Sequence, residues 1–194
     1  MNNAEDPLSR LYPYLDWTRC VIGGSYALKQ YTKAKWAAAD GDVMCKAQSA
    51  RELLDMTIAL VDSLGEDARI TKFTEITPEM RTAHWKELGG EERFHESILA
   101  TSKVSVPGVP IPVQLVGFDT TSNILGKETL VEHLDLVCDL PAAVSYTAKH
   151  GRKIFHVPER AKEPIATRRV PENKICPFAA ARKAKYAERG YEFI

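Results

Sequence analysis

Hydrophobic positions along the chain follow a helical period in a few stretches and a strand-like pattern in many short ones. Between Gln48 and Leu64 the apolar side chains recur every three or four residues, which predicts an amphipathic helix. Ser49 suits the N-cap of this helix, and Gly65 suits its end. We interpret the apolar stripe as core packing.

Short apolar or alternating runs predict strands, and helical spacing or capping residues predict further helices. The predicted strands are Arg69–Glu75, Arg93–Val106, Val109–Phe118, Leu134–Cys138, Val144–Tyr146 and Lys153–Val157. The predicted helices are Asp6–Trp17 with a break at Pro13, Thr77–Leu88, Asn123–His133 and Phe178–Arg189. The charged, proline-containing segment Pro158–Asn173 is predicted to be a loop.

The stretch from Cys20 to Cys45 predicts a strand, a glycine turn, a helix and a second strand. The turn is Gly23-Gly24-Ser25, and the second strand opens with Asp40 and Asp42. Residues two apart in a strand point to the same face, so the two carboxylates are expected to project together near the backbone N–H groups of the turn. Like charges that close are costly unless a cation lies between them, and oxygen ligands suit Mg²⁺ or Mn²⁺. The combination predicts a metal site, although a turn or an acid pair alone is usually only structural.

Composition places the chain among soluble globular proteins. It has 194 residues, of which 44% are hydrophobic and 27% charged, which suits one domain or one domain with an appendage. No apolar run approaches the roughly 20 residues needed to cross a bilayer, and the N-terminus lacks the pattern of a signal peptide. The four cysteines are scattered without a CxxC pair. We therefore expect thiols in a reducing compartment and no zinc site.

A neutral net charge hides an asymmetry along the chain. From Thr147 to Ile194 there are 12 Lys and Arg against 5 Asp and Glu, a difference of +7, so the first 146 residues carry −7. Such a basic segment can meet phosphate-rich ligands, or it can neutralise the acidic body within the molecule. We predict a core over residues 1–146 and a basic C-terminal segment, residues 147–194, packed on it.

The order of motifs in the Cys20–Cys45 stretch resembles the nucleotidyltransferase superfamily, which includes DNA polymerase beta and the tRNA CCA-adding enzymes. The resemblance is carried by the residues of the turn and by the two acids, namely Gly23, Gly24, Ser25, Asp40 and Asp42. It implies an α+β fold, with a mixed sheet of nucleotidyltransferase type, helices packed on the sheet and the carboxylates clustered on adjacent strands.

A second set of motifs is similar to nucleotidyltransferase-like proteins of large DNA viruses. It comprises the strand from Val113 to Val116, the run Leu134–Cys138 with Asp135 inside it, and a terminal Lys-Tyr-x-x-Arg-Gly signature at Lys185–Gly190. Burying an unpaired carboxylate is expensive, so Asp135 is expected to have a partner or a metal, or to stay in water at a strand edge. The resemblance implies that Asp135 is the third carboxylate.

The resemblance also implies a reaction. Asp40, Asp42 and Asp135 would hold Mg²⁺ or Mn²⁺, while Gly23, Gly24 and Ser25 would bind the β- and γ-phosphates of an NTP with added charge from Lys29 or Lys33. The metals would activate an acceptor hydroxyl and stabilise in-line displacement of pyrophosphate. The acceptor, such as an RNA 3′ end or a protein, stays open.

An alternative keeps the same fold without the chemistry. A catalytically inactive nucleotidyltransferase-fold protein would use its basic segment to bind nucleic acid or a protein partner. Gly41, which stands between the two acids where an apolar residue is usual in the family, is expected to loosen the strand. The expected location is cytoplasmic, or the host cytoplasm for a viral protein, without membrane association.

Overall fold

The computed structural model describes residues 6–81, 97–120, 129–172 and 180–194. Its strands are β1 (Cys20–Gly23), β2 (Gly41–Lys46), β3 (Arg69–Glu75), β4 (Ile98–Ser105), β5 (Val113–Phe118), β6 (Ser145–Lys149), β7 (Arg152–His156), β8 (Arg169–Val170) and β9 (Glu192–Phe193). Its α-helices are α1 (Gly24–Thr32), α2 (Ala50–Leu64), α3 (Leu130–Val137), α4 (Glu159–Thr167) and α5 (Ala180–Ala187). Two 3₁₀ helices span Pro7–Tyr14 and Glu79–Arg81.

Seven strands form one mixed sheet in the order β3-β4-β5-β2-β1-β6-β7. β2 and β5 run parallel, and every other neighbouring pair in this sheet is antiparallel. The parallel pair needs a long crossover, which the chain supplies through α2, β3 and β4. The protein therefore has a mixed α+β architecture. β8 and β9 form a separate parallel pair.

The two faces of the sheet bury different side chains because successive residues of a strand alternate. Val43 and Leu115 belong to the larger core cluster, which also contains residues of the first 3₁₀ helix, α1 and α2. Met44 and Val116 lie in a second cluster with Leu130 and Leu134 of α3. Val21 and Phe118 belong to the same cluster. The second face is the one that Asp42 shares with Met44.

Several predicted elements are confirmed. The Cys20–Cys45 stretch forms β1, α1 and β2, and α2 begins after Ser49, whose hydroxyl accepts a hydrogen bond from the Glu52 N–H. The predicted strand Arg69–Glu75 is β3, and the predicted strands Val144–Tyr146 and Lys153–Val157 correspond to β6 and β7, which pair as a hairpin. A short helix follows Asp6, whose carboxylate accepts a hydrogen bond from the Leu8 N–H.

Two predicted elements are wrong. Leu134–Cys138 is not a strand, since Leu134 and Asp135 lie within α3. The segment Pro158–Asn173 is not a loop throughout, since it contains α4 and β8, and Pro164 lies inside α4. Apolar runs of five residues fit a strand and a buried helix equally well, and the tertiary contacts decide between them.

Some predictions fall partly outside the described residues. These are most of the helix predicted over 77–88, the first part of the strand predicted from Arg93, the first part of the helix from Asn123, and residues 178 and 179 before α5. The division at residue 146 stays a prediction, and β6 runs across that position. Within the described residues, no helix is long and apolar enough to span a membrane.

Candidate functional site

The glycine turn and Asp42 are in contact. Gly23 pairs with Asp42 across β1 and β2, and α1 begins at Gly24 with a φ of 66°. An ideal Cβ at Gly24 would lie 2.7 Å from Asp42 Oδ2. A side chain at Gly24 would therefore be excluded both by the backbone conformation and by the carboxylate. The Asp42 carboxylate lies directly against the backbone at the start of α1.

Ser25 is buried at the same helix start without a partner for its hydroxyl. The residue is 4% exposed, and its Oγ has no hydrogen-bond partner in the structure as far as it is described. The N-cap residue Gly23 also provides no side-chain hydrogen bond to the first turn of α1. Helix N-termini carry unsatisfied N–H groups and a partial positive charge, which favour an anion. A phosphate oxygen would satisfy both the N–H groups and the Ser25 hydroxyl.

Lys29 follows Ser25 by four residues on α1. Residues at this spacing lie on the same side of a helix, one turn apart. Lys29 is half-buried near the C-terminal end of the helix. It is thus on the Ser25 side of α1, one turn farther from the glycine turn.

Asp40 is half-buried and immediately precedes β2. Gly41, the next residue, pairs with Val113 of β5 and is buried under Leu8. The expectation that Gly41 loosens this strand is wrong, because an ideal Cβ at Gly41 would lie 2.7 Å from Leu8 Cδ1. The glycine gives the first 3₁₀ helix the space to pack on the start of β2, next to both acids.

Gln114 is the neighbour of Asp42 that the sequence alone did not identify. β2 and β5 are parallel with Asp42 opposite Gln114, so both residues belong to the same face of the sheet. Gln114 is half-buried and contributes an amide at a position where the resemblance implies a carboxylate on an adjacent strand. The alternation of Val113–Phe118 could have indicated its face, but only the pairing of β5 with β2 gives its register.

Asp135 does not join this site. It lies on α3, and both of its carboxylate oxygens are within hydrogen-bond distance of His156 Nε2, at 2.9 and 3.0 Å. Its backbone carbonyl accepts a hydrogen bond from Arg160 Nε. Throughout the described ranges, no group of three His, Cys, Asp or Glu side chains is placed to hold a metal ion. The predicted set of Asp40, Asp42 and Asp135 is therefore not brought together.

Helical periodicity explains the position of Asp135. Thr129 caps α3, with its hydroxyl accepting from the Glu132 N–H and the Glu132 carboxylate accepting from the Thr129 N–H. Leu130 and Leu134 then lie one turn apart and pack on the second face of the sheet. The next residue, Asp135, contacts His156 of β7.

The Cys138 thiol is influenced both by Asp42 and by charged residues from the C-terminal half. Arg182 of α5 forms an ion pair with Asp139 at 2.6 Å. Burial of the Cys138 thiol raises its pKa to about 12, and the charges of Arg160, Asp139, Arg182 and Asp42 also act on that pKa. Asp42, Asp139 and Arg182 each have further interactions, so none of them is a free charge.

Tyr186 on α5 joins this neighbourhood. Its side chain is 4% exposed, and burial raises the pKa of its hydroxyl. Arg189 and Arg182 oppose that rise, whereas Asp42 adds to it. The charge of Asp42 therefore acts on a side chain of α5, a helix to which the sequence assigned no site residue. The only sequence signal for it was the segment Lys185–Gly190.

Comparison with known proteins gives a fold relationship. No protein-family model matches the chain, and no curated protein sequence matches it. Among the solved structures that match is a crystal structure of a tRNA nucleotidyltransferase complexed with a primer tRNA and an incoming ATP analog. It shares 8% identity with this chain at a TM-score of 0.50, and the match covers 91% of this chain and 43% of that chain. The chain thus spans less than half the length of that enzyme, and the likeness is one of fold.

Proposed function

We propose that the protein is a nucleotidyltransferase that moves a nucleoside monophosphate from an NTP to an acceptor. The observation that carries the proposal is the contact of the Asp42 carboxylate with Gly24 at the start of α1, beside a buried Ser25 hydroxyl without a partner. An anion-binding helix start and a carboxylate in direct contact suit a phosphate chain that is accompanied by a cation. The similar fold of a tRNA nucleotidyltransferase agrees with this chemistry.

The phosphates would be held by the start of α1. The backbone N–H groups of Gly24 and Ser25 and the Ser25 hydroxyl would bind the β- and γ-phosphate oxygens. Lys29, one turn along the same side of α1, would add positive charge. In the reaction, the acceptor hydroxyl loses its proton to solvent and its oxygen forms a bond to the α-phosphorus. The bond from the α-phosphorus to the bridging oxygen breaks, and pyrophosphate leaves with that electron pair. The residues at the start of α1 would hold the leaving group in line.

A divalent cation fits part of the predicted ligand set. Asp40 and Asp42 supply carboxylates, and the Gln114 amide oxygen is available on the adjacent strand, an oxygen donor set that suits Mg²⁺ or Mn²⁺. Asp135, held by His156, is not included. A cation bound there would neutralise phosphate charge and lower the pKa of an acceptor hydroxyl. Asp40 and Asp42 would orient the polyphosphate against α1.

The acceptor is proposed to be phosphate-rich, such as an RNA 3′ end. The C-terminal segment carries the excess positive charge, and the charge of Asp42 acts on the pKa of Tyr186 in this segment. The tRNA nucleotidyltransferase of similar fold was solved with a primer tRNA. A relationship to the proteins of large DNA viruses, carried by Lys185–Gly190, and a cytoplasmic location belong to the same proposal.

The test is transfer of label from NTPs. Purified protein with α-³²P-labelled NTPs, Mg²⁺ or Mn²⁺ and mixed RNA is expected to label an acceptor, and Asp42→Asn is expected to abolish labelling. Asp62→Asn, which removes the same charge from an exposed position on α2, is the matched control. Labelling by Asp42→Asn at the rate of the unchanged protein would refute the assignment.

A second candidate is a nucleotidyltransferase-fold protein that binds nucleic acid or a protein partner without transfer. The specific observation in its favour is Gln114, an amide and not an acid, at the position paired with Asp42, together with the separation of Asp135. This candidate predicts salt-sensitive RNA binding that persists with EDTA and in Asp42→Asn. Metal-dependent label transfer would exclude it.

A further inference from the structure

Arg189 is stacked on Trp36 between the C-terminal helix and the connection that leads to Asp40. Its Cζ atom lies 3.9 Å from the centroid of the Trp36 ring and 5.2 Å from that of Tyr186. A cation this close to an aromatic face is attracted by the ring quadrupole, and a planar guanidinium can stack on it. The stack fixes the plane of the guanidinium and therefore the directions of its N–H groups.

One nitrogen of this guanidinium has no partner. Arg189 Nη1 is buried, and no hydrogen bond to it is found in the structure as described. A buried donor without an acceptor costs roughly 1–3 kcal/mol, and more when the group is charged. The stacking keeps the group in place, whereas an anionic oxygen would complete its hydrogen bonding.

The stack involves the connection that leads to the candidate nucleotide site. Trp36 stands four residues before Asp40 in the chain, and Arg189 lies in the turn after α5, where its backbone N–H donates to the Tyr186 carbonyl. The charges of both Asp42 and Arg189 act on the pKa of the Tyr186 hydroxyl. Through its stack on Trp36, the Arg189 cation is held against the connection that leads to Asp40.

We propose that Arg189 is a phosphate-binding residue of the nucleotide site, with Nη1 donating to an oxygen of the polyphosphate and Trp36 holding the guanidinium plane. The inference rests on the proposed function, since the ligand is the phosphate chain of the same nucleotide. It gives the turn after α5 a part in phosphate recognition in addition to that of α1.

The first experiment measures binding of inorganic tripolyphosphate in Mg²⁺ buffer by calorimetry. Arg189→Gln is expected to weaken binding by roughly ten- to a hundredfold, the loss of one charged hydrogen bond. Arg152→Gln removes the same charge from the exposed end of β7 and is expected to bind like the unchanged protein. Equal affinities of Arg189→Gln and the unchanged protein would overturn the assignment, as would an equal loss in both variants.

Arg189→Lys and Trp36→Phe separate ligand binding from a structural role. If circular dichroism shows that Arg189→Gln is unfolded, Arg189→Lys decides: weaker tripolyphosphate binding supports the proposal, and unchanged binding overturns it. Tripolyphosphate is expected to change the tryptophan fluorescence of the unchanged protein but not that of Trp36→Phe. The same change in Trp36→Phe would remove Trp36 from the site.

The two proposals fail in different ways. If the unchanged protein binds tripolyphosphate through Arg189 but transfers no label, the proposed phosphate site is supported and the proposed nucleotidyl transfer is refuted. If label is transferred and Arg189→Gln keeps the KM for NTP and the tripolyphosphate affinity of the unchanged protein, nucleotidyl transfer is supported and the proposed role of Arg189 is refuted.

Discussion

The side chain of Leu8 occupies the space that a side chain at Gly41 would need. An ideal Cβ at Gly41 would lie 2.7 Å from Leu8 Cδ1 and 2.9 Å from Cδ2, and Leu8 is fully buried. The first 3₁₀ helix is thereby packed on the start of β2, between Asp40 and Asp42. Gly41, which separates the two acids, belongs to the face of the sheet opposite to Asp42. It is small because Leu8 packs against it on that face.

Gly41→Ala is therefore expected to destabilise the protein by about 1–3 kcal/mol, the usual cost of overpacking. Urea unfolding measures the change. In a Leu8→Ala background, which itself costs about 2–5 kcal/mol, the same substitution is expected to cost much less, because the cavity accepts the new methyl group. Additive effects of the two substitutions would contradict the contact.

Hydrogen bonds and an ion pair to the Asp6 carboxylate fix the first 3₁₀ helix to the sheet. The Asp6 carboxylate accepts hydrogen bonds from the Tyr12 and Tyr26 hydroxyls and is 2.8 Å from Lys153 Nζ. Burial alone would raise the pKa of Asp6, but the hydrogen bonds from Lys153, Tyr12 and Tyr26 outweigh burial and hold that pKa below its ordinary value. The charged form of Asp6 thus stabilises the fold.

The sign of the pH dependence follows. Because the pKa of Asp6 is lower in the folded than in the unfolded protein, its contribution to stability is present above the unfolded value of 3.8 and is lost as the pH falls through the folded pKa. Asp6→Asn is expected to lower the free energy of unfolding at pH 7 by about 3 kcal/mol and to flatten its acid dependence. Urea unfolding from pH 7 to pH 2 measures both. Asp62→Asn is the exposed control, and an equally steep acid dependence in Asp6→Asn would contradict this role.

Ser25→Ala separates ligand binding from stability. Because the buried Ser25 hydroxyl has no partner in the described structure, its removal is expected to leave thermal stability without ligand unchanged or slightly raised. ATP with Mg²⁺ is expected to bind about tenfold more weakly to the variant, as measured by calorimetry. Ser63→Ala, at an exposed hydroxyl on α2, is the control. A destabilised variant with unchanged ATP affinity would show that the hydroxyl serves the fold alone.

Asp135→Asn is expected to leave nucleotidyl transfer within about twofold of the unchanged protein. The carboxylate is bound by His156 on the edge strand β7, and both side chains are partly exposed, so the loss of stability is expected to be about 1 kcal/mol or less. The same label-transfer assay used for Asp42→Asn measures the activity. Loss of label transfer by Asp135→Asn, with the stability of the variant unchanged, would show that Asp135 belongs to the site.

Gln114→Asp tests the cation directly. The substitution places a third carboxylate opposite Asp42, where like charges repel unless a cation lies between them. The variant is expected to melt at a lower temperature than the unchanged protein in EDTA and to gain more stability from added Mn²⁺. Thermal melts with and without Mn²⁺ check this, and an equal Mn²⁺ shift in both proteins would place the cation elsewhere.

The local order of elements around the site could be predicted from the sequence. The strand, glycine turn, helix and acid-bearing strand from Cys20 to Cys45 appear as expected, because short-range signals govern each step: a β-branched run, glycines that permit a positive φ, and a helix without Gly or Pro after its first residue. The contact between Gly24 and Asp42 follows from pairing two strands that are close in sequence. Ser49 and Gly65 bounded α2 for similar local reasons.

Long-range packing decided the rest. Leu134–Cys138 has the composition of a strand, but packing of Leu130 and Leu134 against the second face of the sheet makes it helical and turns Asp135 to His156. Gln114 became the partner of Asp42 only through the parallel pairing of β2 with β5, whose register no local pattern contains. Arg189 came to lie on Trp36 through a contact between chain segments more than a hundred residues apart. The sequence by itself determined the glycine turn and its acid, because both depend on neighbouring residues; the tertiary structure chose which distant side chains surround them, because that choice depends on burial and register.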